Sequence, residues 1–326
     1  MSTSQPSETE AKLLEELQRG FPLSPRPFFE LGQALGLEEM ECLDQVRGLK
    51  ESGILRSIEG IFENQALGYH STLVGLKLAS QKMDEAADHI GQHPGVSHNY
   101  AREGDYNLWF TLTLSREEDL KQGAERLAEE VGAQDILYLP AVRIFKIRTF
   151  FSPSGSPPPD YSKPSPLRRP QKLSSQEIAV VKRLQQDLPL EVEPFQTLAA
   201  GTGIDQAEFL LLANGLQEAG VMRRYAGLVH HRRLGFSANG MGCWEVPALR
   251  IEEVGRTLAR SPWVSHCYQR LSYHRWPYDI YTMLHATTRE ECHAYARALS
   301  KEVGVNHYAL LFSTKEYKQQ RVRHFR

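Results

Sequence analysis

The sequence predicts an α+β fold built by tandem duplication, each half a winged helix–turn–helix followed by a ferredoxin-like βαββαβ domain. Three observations predict it. A proline-rich stretch divides the 326 residues near their middle. Segments on its two sides match in the same order. Each half also passes from helical to strand-like hydrophobic periodicity.

The stretch is 152–170, SPSGSPPPDYSKPSPLRRP, and it holds seven of the chain's 18 prolines. Proline fixes φ and removes a backbone donor, so the segment reads as an extended spacer. Across it, LGYHSTLVGLKL at 67–78 matches LGFSANGMGCWEV at 234–246, and HPGVSHNYAR at 93–102 matches SPWVSHCYQR at 261–270. YNLWFTLTL at 106–114 matches YDIYTMLHA at 278–286, and VGAQDILYL at 131–139 matches VGVNHYALL at 303–311. The offset grows from 168 to 172 between the second and third matches, which places four extra residues within LSYHRWP, 271–277. Ordered self-similarity of this kind marks a duplication. The expected units are a helix–turn–helix at 11–65, a ferredoxin-like domain at 66–151 and a Pro-rich linker at 152–172. A second helix–turn–helix at 173–232 and a second ferredoxin-like domain at 233–326 follow.

Element by element, half 1 opens with the amphipathic helix AKLLEELQRG, then FFELGQALG, then LEEMECLDQVRGLKESGIL closed by Gly53. Residues 54–60 read as a wing. SQEIAVVKRLQQD, FQTLAAGTG and IDQAEFLLLANGLQEAGVM, closed by Gly220, repeat the series in half 2. Next in half 1 come a strand at 67–78, a helix at 82–92 and a hairpin of 95–103 with 106–114. A helix at 116–131 and a strand at 135–148 complete it. This order is an antiparallel sheet with helices on one face. The other face needs a cover, and the second half is the natural one.

Composition removes several classes. Hydrophobic residues are 41%, charged residues 24%, and the formal charge is -2, so no bulk drive toward nucleic acid exists. No apolar run reaches the ~18 residues of a membrane span, and MSTSQPSETEAK resembles neither a signal nor a transit peptide. Cys42, Cys243, Cys267 and Cys292 form no CxxC, which speaks against a disulfide framework or a structural zinc site. A cytoplasmic protein without a membrane partner is expected. The sequence contains no GxGxxG opening a helix, GxxxxGK[ST], HExxH or GxSxG.

A helix–turn–helix with a wing suggests DNA, but its charges oppose that. The groove-facing helix of half 1 carries Glu38, Glu39, Glu41 and Asp44 against Arg47 and Lys50. Its counterpart carries Asp205, Glu208 and Glu218 with no Lys or Arg. DNA affinity rests on phosphate neutralisation, so no DNA partner is expected, and these helices should pack between the halves.

The chemistry resides in VSHNYAR and VSHCYQR. On a strand, alternation puts His98, Tyr100 and Arg102 on one face and Ser97, Asn99 and Ala101 on the other. His266, Tyr268 and Arg270 repeat the row. The intervening residues differ between halves while the three polar types persist. The rows should point away from the helices, toward the partner half, and enclose a cavity. The last strand of each half is basic: Arg143, Lys146 and Arg148 in half 1, and Lys315, Lys318, Arg321, Arg323 and Arg326 against only Glu316 in half 2. These serve either as edge protection or as anion contacts. Interleaved aromatics suit a flat, multiply anionic ligand.

At these residues the chain resembles the siroheme decarboxylases, relatives of Lrp/AsnC-type regulators. The motifs that carry the resemblance are HPGVSHNYAREGDYNLWFTL, VSHCYQR…WPYDIYTMLH and STKEYKQQRVRHF. It implies removal of carbon dioxide from the C12 and C18 acetates of siroheme, giving 12,18-didecarboxysiroheme for heme d1 or alternative heme synthesis. It also implies that two subunit types are fused here through the linker. His98 and His266 would be catalytic, with Tyr100, Arg102, Tyr268, Arg270, Arg143, Lys146, Lys315 and Lys318 binding siroheme or other anionic tetrapyrroles. Imidazole suits proton transfer near neutrality, and Arg and Lys suit carboxylates. No cofactor and no protein-held metal are expected, since the iron arrives in the substrate. The competing class is a regulator or a heme-sensing binding protein. Whether the fused chain forms a homo-oligomer stays open.

Overall fold

Both halves begin on a helix that the sequence caps. In the computed structural model, which describes residues 6–147, 150, 170–235 and 238–325, helices α1 (Glu8–Arg19) and α6 (Ser175–Leu184) both start on capping boxes. Ser7 pairs with Glu10 and Ser174 with Glu177, so two otherwise orphaned amides are satisfied at each start. Helices α2 (Pro27–Leu35) and α7 (Pro194–Ala199) start on proline, whose missing N–H costs nothing in a first turn. With α3 (Glu39–Glu51) and α8 (Gln206–Glu218) they complete two helix–turn–helix units. The linker expected at 152–172 lies, up to residue 169, outside the described residues.

These two units form one body. Wings β1 (Leu55–Phe62) and β6 (Met222–Val229) pair antiparallel. Beneath them Leu17, Phe28 and Val46 share a core with Phe195, Phe209 and Tyr225. The basic groups of α3 turn inward to the other half: Arg47 donates to the Leu190 carbonyl at 2.8 Å, and Lys50 pairs with Asp187.

Each half continues as βαββαβ. Half 1 has β2 (Tyr69–Lys77), α4 (Met83–Gln92), β3 (Val96–Arg102), β4 (Leu108–Ser115), α5 (Leu120–Glu130) and β5 (Asp135–Ile147). Half 2 has β7 (Ala238–Trp244), α9 (Ile251–Arg260), β8 (Val264–Arg270), β9 (Ile280–Ala286), α10 (Arg289–Val303) and β10 (Tyr308–Gln319). The two sheets do not stack as separate layers. Strands β5 and β10 run 13 and 12 residues, about twice the usual length. The first part of β5 pairs with β2, and from Ala141 onward it pairs with β8 of the other half. Strand β10 likewise pairs with β7 over Tyr308–Phe312 and with β3 from Ser313. The eight strands close into a barrel in the order β10-β3-β4-β2-β5-β8-β9-β7. Each crossing strand thereby satisfies the other half's open edge, and each half covers the other's inner face.

Apolar cores fill the space between the barrel and its outer helices. Inside, one end of the barrel is plugged by Trp109, Leu137, Leu139, Met241, Cys243, Tyr281 and Leu311. The extra residues of half 2 add to this plug. Tyr273 and Trp276 bridge each other, and the Trp276 ring packs 5.3 Å from Tyr106 and 5.7 Å from Trp109. The duplication is therefore asymmetric at the floor.

Candidate functional site

Above the plug, the inner face of the barrel and the wing sheet enclose a cavity of about 1260 Å³. That exceeds the ~300–1,000 Å³ typical of small-molecule pockets. His98, Tyr100 and Arg102 from β3 and His266, Tyr268 and Arg270 from β8 all line it. One cavity thus receives both rows. Each histidine stacks on its tyrosine, with centroids 6.3 and 6.2 Å apart. Each arginine lies over the same tyrosine, at 5.5 Å for Arg102 and 4.8 Å for Arg270.

The alternation that predicts these rows fails at one position in each. Asn99 does face the helix, buried and donating to the Ala87 carbonyl at 2.8 Å. Ser97 and Ser265 do not. The ladder shifts register between Val96 and His98, and again between Val264 and His266. A bulge inserts one residue and re-aims its neighbours. The serine hydroxyls thereby reach the histidines, with Oγ 2.9 Å from Nδ1 in both halves.

Both imidazoles keep an edge open to the cavity, yet burial pushes each down to about 4. Positive neighbours add to this, Arg321 and Arg56 for His98, and Lys146, Arg223 and Arg321 for His266. The rings are therefore neutral at pH 7 when the cavity is empty of anions.

Arg102 and Arg270 lie deeper. Arg102 Nη1 donates to the Leu311 carbonyl at 3.0 Å, and Arg270 Nη1 donates to the Leu139 carbonyl at 2.6 Å. Leu139 and Leu311 are counterparts in the duplication, so each half's arginine latches onto the other's last strand. Burial lowers both guanidinium pKa values, that of Arg102 to about 10. The Nε of each is buried with no hydrogen-bond partner. Such a donor has its desolvation cost uncompensated until an acceptor enters.

Arg143, Lys146, Lys315 and Lys318, expected as ligand contacts, lie outside this cavity. Lys318 Nζ donates to the Gly91 and His93 carbonyls at 2.6 and 3.3 Å, and Lys146 Nζ donates to the Ser261 carbonyl at 2.7 Å. His93 and Ser261 cap the C-termini of α4 and α9, where a cation is favoured. Arg143 pairs with Glu252, and Lys315 with Asp84, in the first turns of the same helices. The physical reason is strand crossing: the outer face of β5 lies under α9, and that of β10 under α4. The four cations clamp halves together.

The cations that do line the cavity come from elsewhere: Arg56 in β1, Arg223 and Arg224 in β6, and Arg321 and Arg323 after β10. Arg223 pairs with Glu63, Arg321 Nε lies 3.3 Å from Glu59, and Arg56 Nη1 donates to the Gln319 carbonyl at 3.4 Å. Sequence reading missed the wing part of this mouth. Arg321 and Arg323 belong to the basic C-terminal run already read as a possible anion contact, whereas for Arg56, Arg223 and Arg224 the only signal was basic residues on wings that were not bound for DNA. It also missed His285 of β9, whose Nε2 lies 2.9 Å from Ser265 Oγ. Among the described residues, no group of three or more His, Cys, Asp or Glu is placed to hold a metal ion.

A family model described as the AsnC-like ligand binding domain matches 66–146 and 233–318. One described as the siroheme decarboxylase NirDL-like HTH domain matches 10–56 and 177–223. A siroheme decarboxylase of Hydrogenobacter thermophilus is 38% identical over 96% of this chain and 94% of its own. The siroheme decarboxylase alpha subunit of Desulfovibrio desulfuricans is 47% identical over 43% of this chain and 80% of its own. The crystal structure of the siroheme decarboxylase NirDL in complex with an iron-uroporphyrin III analogue superposes with a TM-score of 0.75. It is 34% identical and covers 98% of this chain and 95% of that one.

Proposed function

The chain belongs to the siroheme decarboxylases, and from that premise we propose that it binds siroheme in the barrel cavity and removes the C12 and C18 acetate carboxyls without oxidation. The product is 12,18-didecarboxysiroheme, for heme d1 or alternative heme synthesis. The observation that carries the reading is the single cavity into which both His–Tyr–Arg rows point. It is large, aromatic inside and cationic at its mouth, as a flat polyanion requires.

Each cycle exchanges one carboxylate for one proton. The bond to the carboxyl carbon breaks and its electron pair flows into the protonated pyrrole system. Carbon dioxide leaves, and a proton delivered to the side-chain carbon leaves a methyl group. His98 and His266 are the proton-transfer groups. Their low pKa in the free protein rises when an anionic ring enters, so they gain protons where the chemistry uses them. The unpartnered Nε–H groups of Arg102 and Arg270 receive carboxylates. The wing arginines recruit and hold the others. No resident cofactor is used, and the iron is part of the substrate.

A DNA-binding regulator is the weaker reading, since Arg47 and Lys50 are engaged within the molecule. Among the described residues no helix is long and apolar enough to cross a membrane, and the four cysteines are free and buried. A reducing, cytoplasmic setting fits that state. The test is anaerobic incubation of the pure protein with siroheme, followed by mass spectrometry. Loss of two carbon dioxides supports the assignment. Tight binding without mass loss points instead to a tetrapyrrole sensor.

A further inference from the structure

The two histidine sites are built alike up to the serine hydroxyl and then differ. Ser265 Oγ donates to the Met283 carbonyl at 3.2 Å, since a carbonyl oxygen can only accept. The same oxygen lies 2.9 Å from His266 Nδ1 and 2.9 Å from His285 Nε2. A hydroxyl has one proton and two lone pairs. With the proton on the Met283 carbonyl, both imidazoles must donate. His266 is then Nδ1–H, and its Nε2 carries the lone pair.

Half 1 lacks this arrangement. The counterpart of His285 is Thr113, and the counterpart of Met283 is Thr111. Ser97 Oγ meets His98 Nδ1 at 2.9 Å and makes no other side-chain hydrogen bond among the described residues. Its proton can go to His98 or elsewhere, and either tautomer of His98 is satisfied.

We infer that Ser265 and His285 are positioning residues that lock His266 into the Nδ1–H tautomer, so that half 2 presents a fixed Nε2 acceptor to the cavity while His98 stays free to change tautomer. The inference rests on the proposed decarboxylase reading for its consequence, but not for its geometry. A locked ring takes up and returns a proton through Nε2 alone, which suits repeated proton delivery to one substrate position. A ring that is not locked delivers less selectively. The two acetates would then leave at different rates, the faster being the one that meets His266.

The experiment has two arms. Long-range ¹H–¹⁵N NMR on the full protein with ¹⁵N-labelled histidine reads the tautomers without substrate, assigned with His98→Ala and His266→Ala. His266 should show a single Nδ1–H pattern at pH 7.5, and His98 an averaged one. Ser265→Ala should convert His266 to the averaged pattern, and Ser265→Thr should retain the lock. The second arm follows siroheme turnover. Ser265→Ala and His285→Gln should lower kcat roughly 10- to 100-fold, as loss of an orienting partner does, with KM changed less than about twofold. Ser265→Thr should restore most of the rate. An Nε2–H or averaged His266 in the unaltered protein overturns the inference whatever the activity. So does an identical pattern for both histidines. A wild-type protein that shows the lock but releases no carbon dioxide leaves the positioning intact and removes the decarboxylase reading instead.

Discussion

A neutral histidine held beside arginines is the unit on which this site turns. His98→Ala and His266→Ala should each slow decarboxylation far more than they weaken siroheme binding. A positioned proton donor contributes about 10²–10⁴-fold. Turnover and affinity of the two variants check this, and wild-type turnover in both would remove the mechanism. The same residues set a pH dependence of stability. Their folded pKa is about 4 against an ordinary 6.5. Above pH 6.5 the rings are neutral in both states. As pH falls from 6.5 toward 4, the unfolded chain takes up protons that the folded chain refuses, so stability declines across that window. Urea unfolding of the ligand-free protein should show a decline that is shallower in a His98→Gln/His266→Gln double variant. An unchanged slope would mean that the rings are not held neutral. Both histidines, tyrosines and arginines were legible because strand alternation survives on the far side of the bulge. Ser97 was not, since an inserted residue leaves no mark in composition.

Strands β5 and β10 show how far pattern reading reaches. Their basic residues are visible in sequence, and the outward face is set by alternation. Which helix lies over that face depends on pairing with the other half, which periodicity does not encode. The four cations therefore read as ligand contacts, and the structure places them outside the cavity, paired with α4 and α9 of the opposite half. Lys146→Ala and Lys318→Ala should each destabilise by about 1 kcal/mol, the scale of a cation at a helix C-terminus. Lys315→Ala removes a largely exposed pair with Asp84 and should cost under about 1 kcal/mol. Siroheme affinity should stay within about twofold in Lys315→Ala. A large drop in affinity there would return that lysine to the binding surface. The wing arginines escaped notice for the opposite reason. Arg56 and Arg223 are far apart in sequence and converge, beside Arg321 of the C-terminal run, only when β1 pairs β6 over the barrel mouth.

Across the whole molecule, each half completes the other. Two crossing strands, the paired wings, a shared helical core and two arginine latches join the halves, whereas the linker is a single covalent path. Introducing a protease site within 152–170 and cutting it should leave one species in gel filtration at micromolar concentration, with turnover retained. Separation of the fragments would show that the linker, not the crossing strands, holds the halves. The duplication was legible from the matched segments, and the barrel was not, because nothing local announces where a long last strand goes. That closure also imposes an order in time. Arg102 of β3 meets Ser313 of β10, so half 1 emerges from the ribosome with a bare strand edge. At ~5–20 residues per second, the edge waits roughly 10–40 s for its neighbour. During that interval the nascent chain is a template for misassembly with other copies of itself. In a fused chain only chaperone cover or transient contacts can shield it, whereas separate subunits can offer a finished partner edge at once.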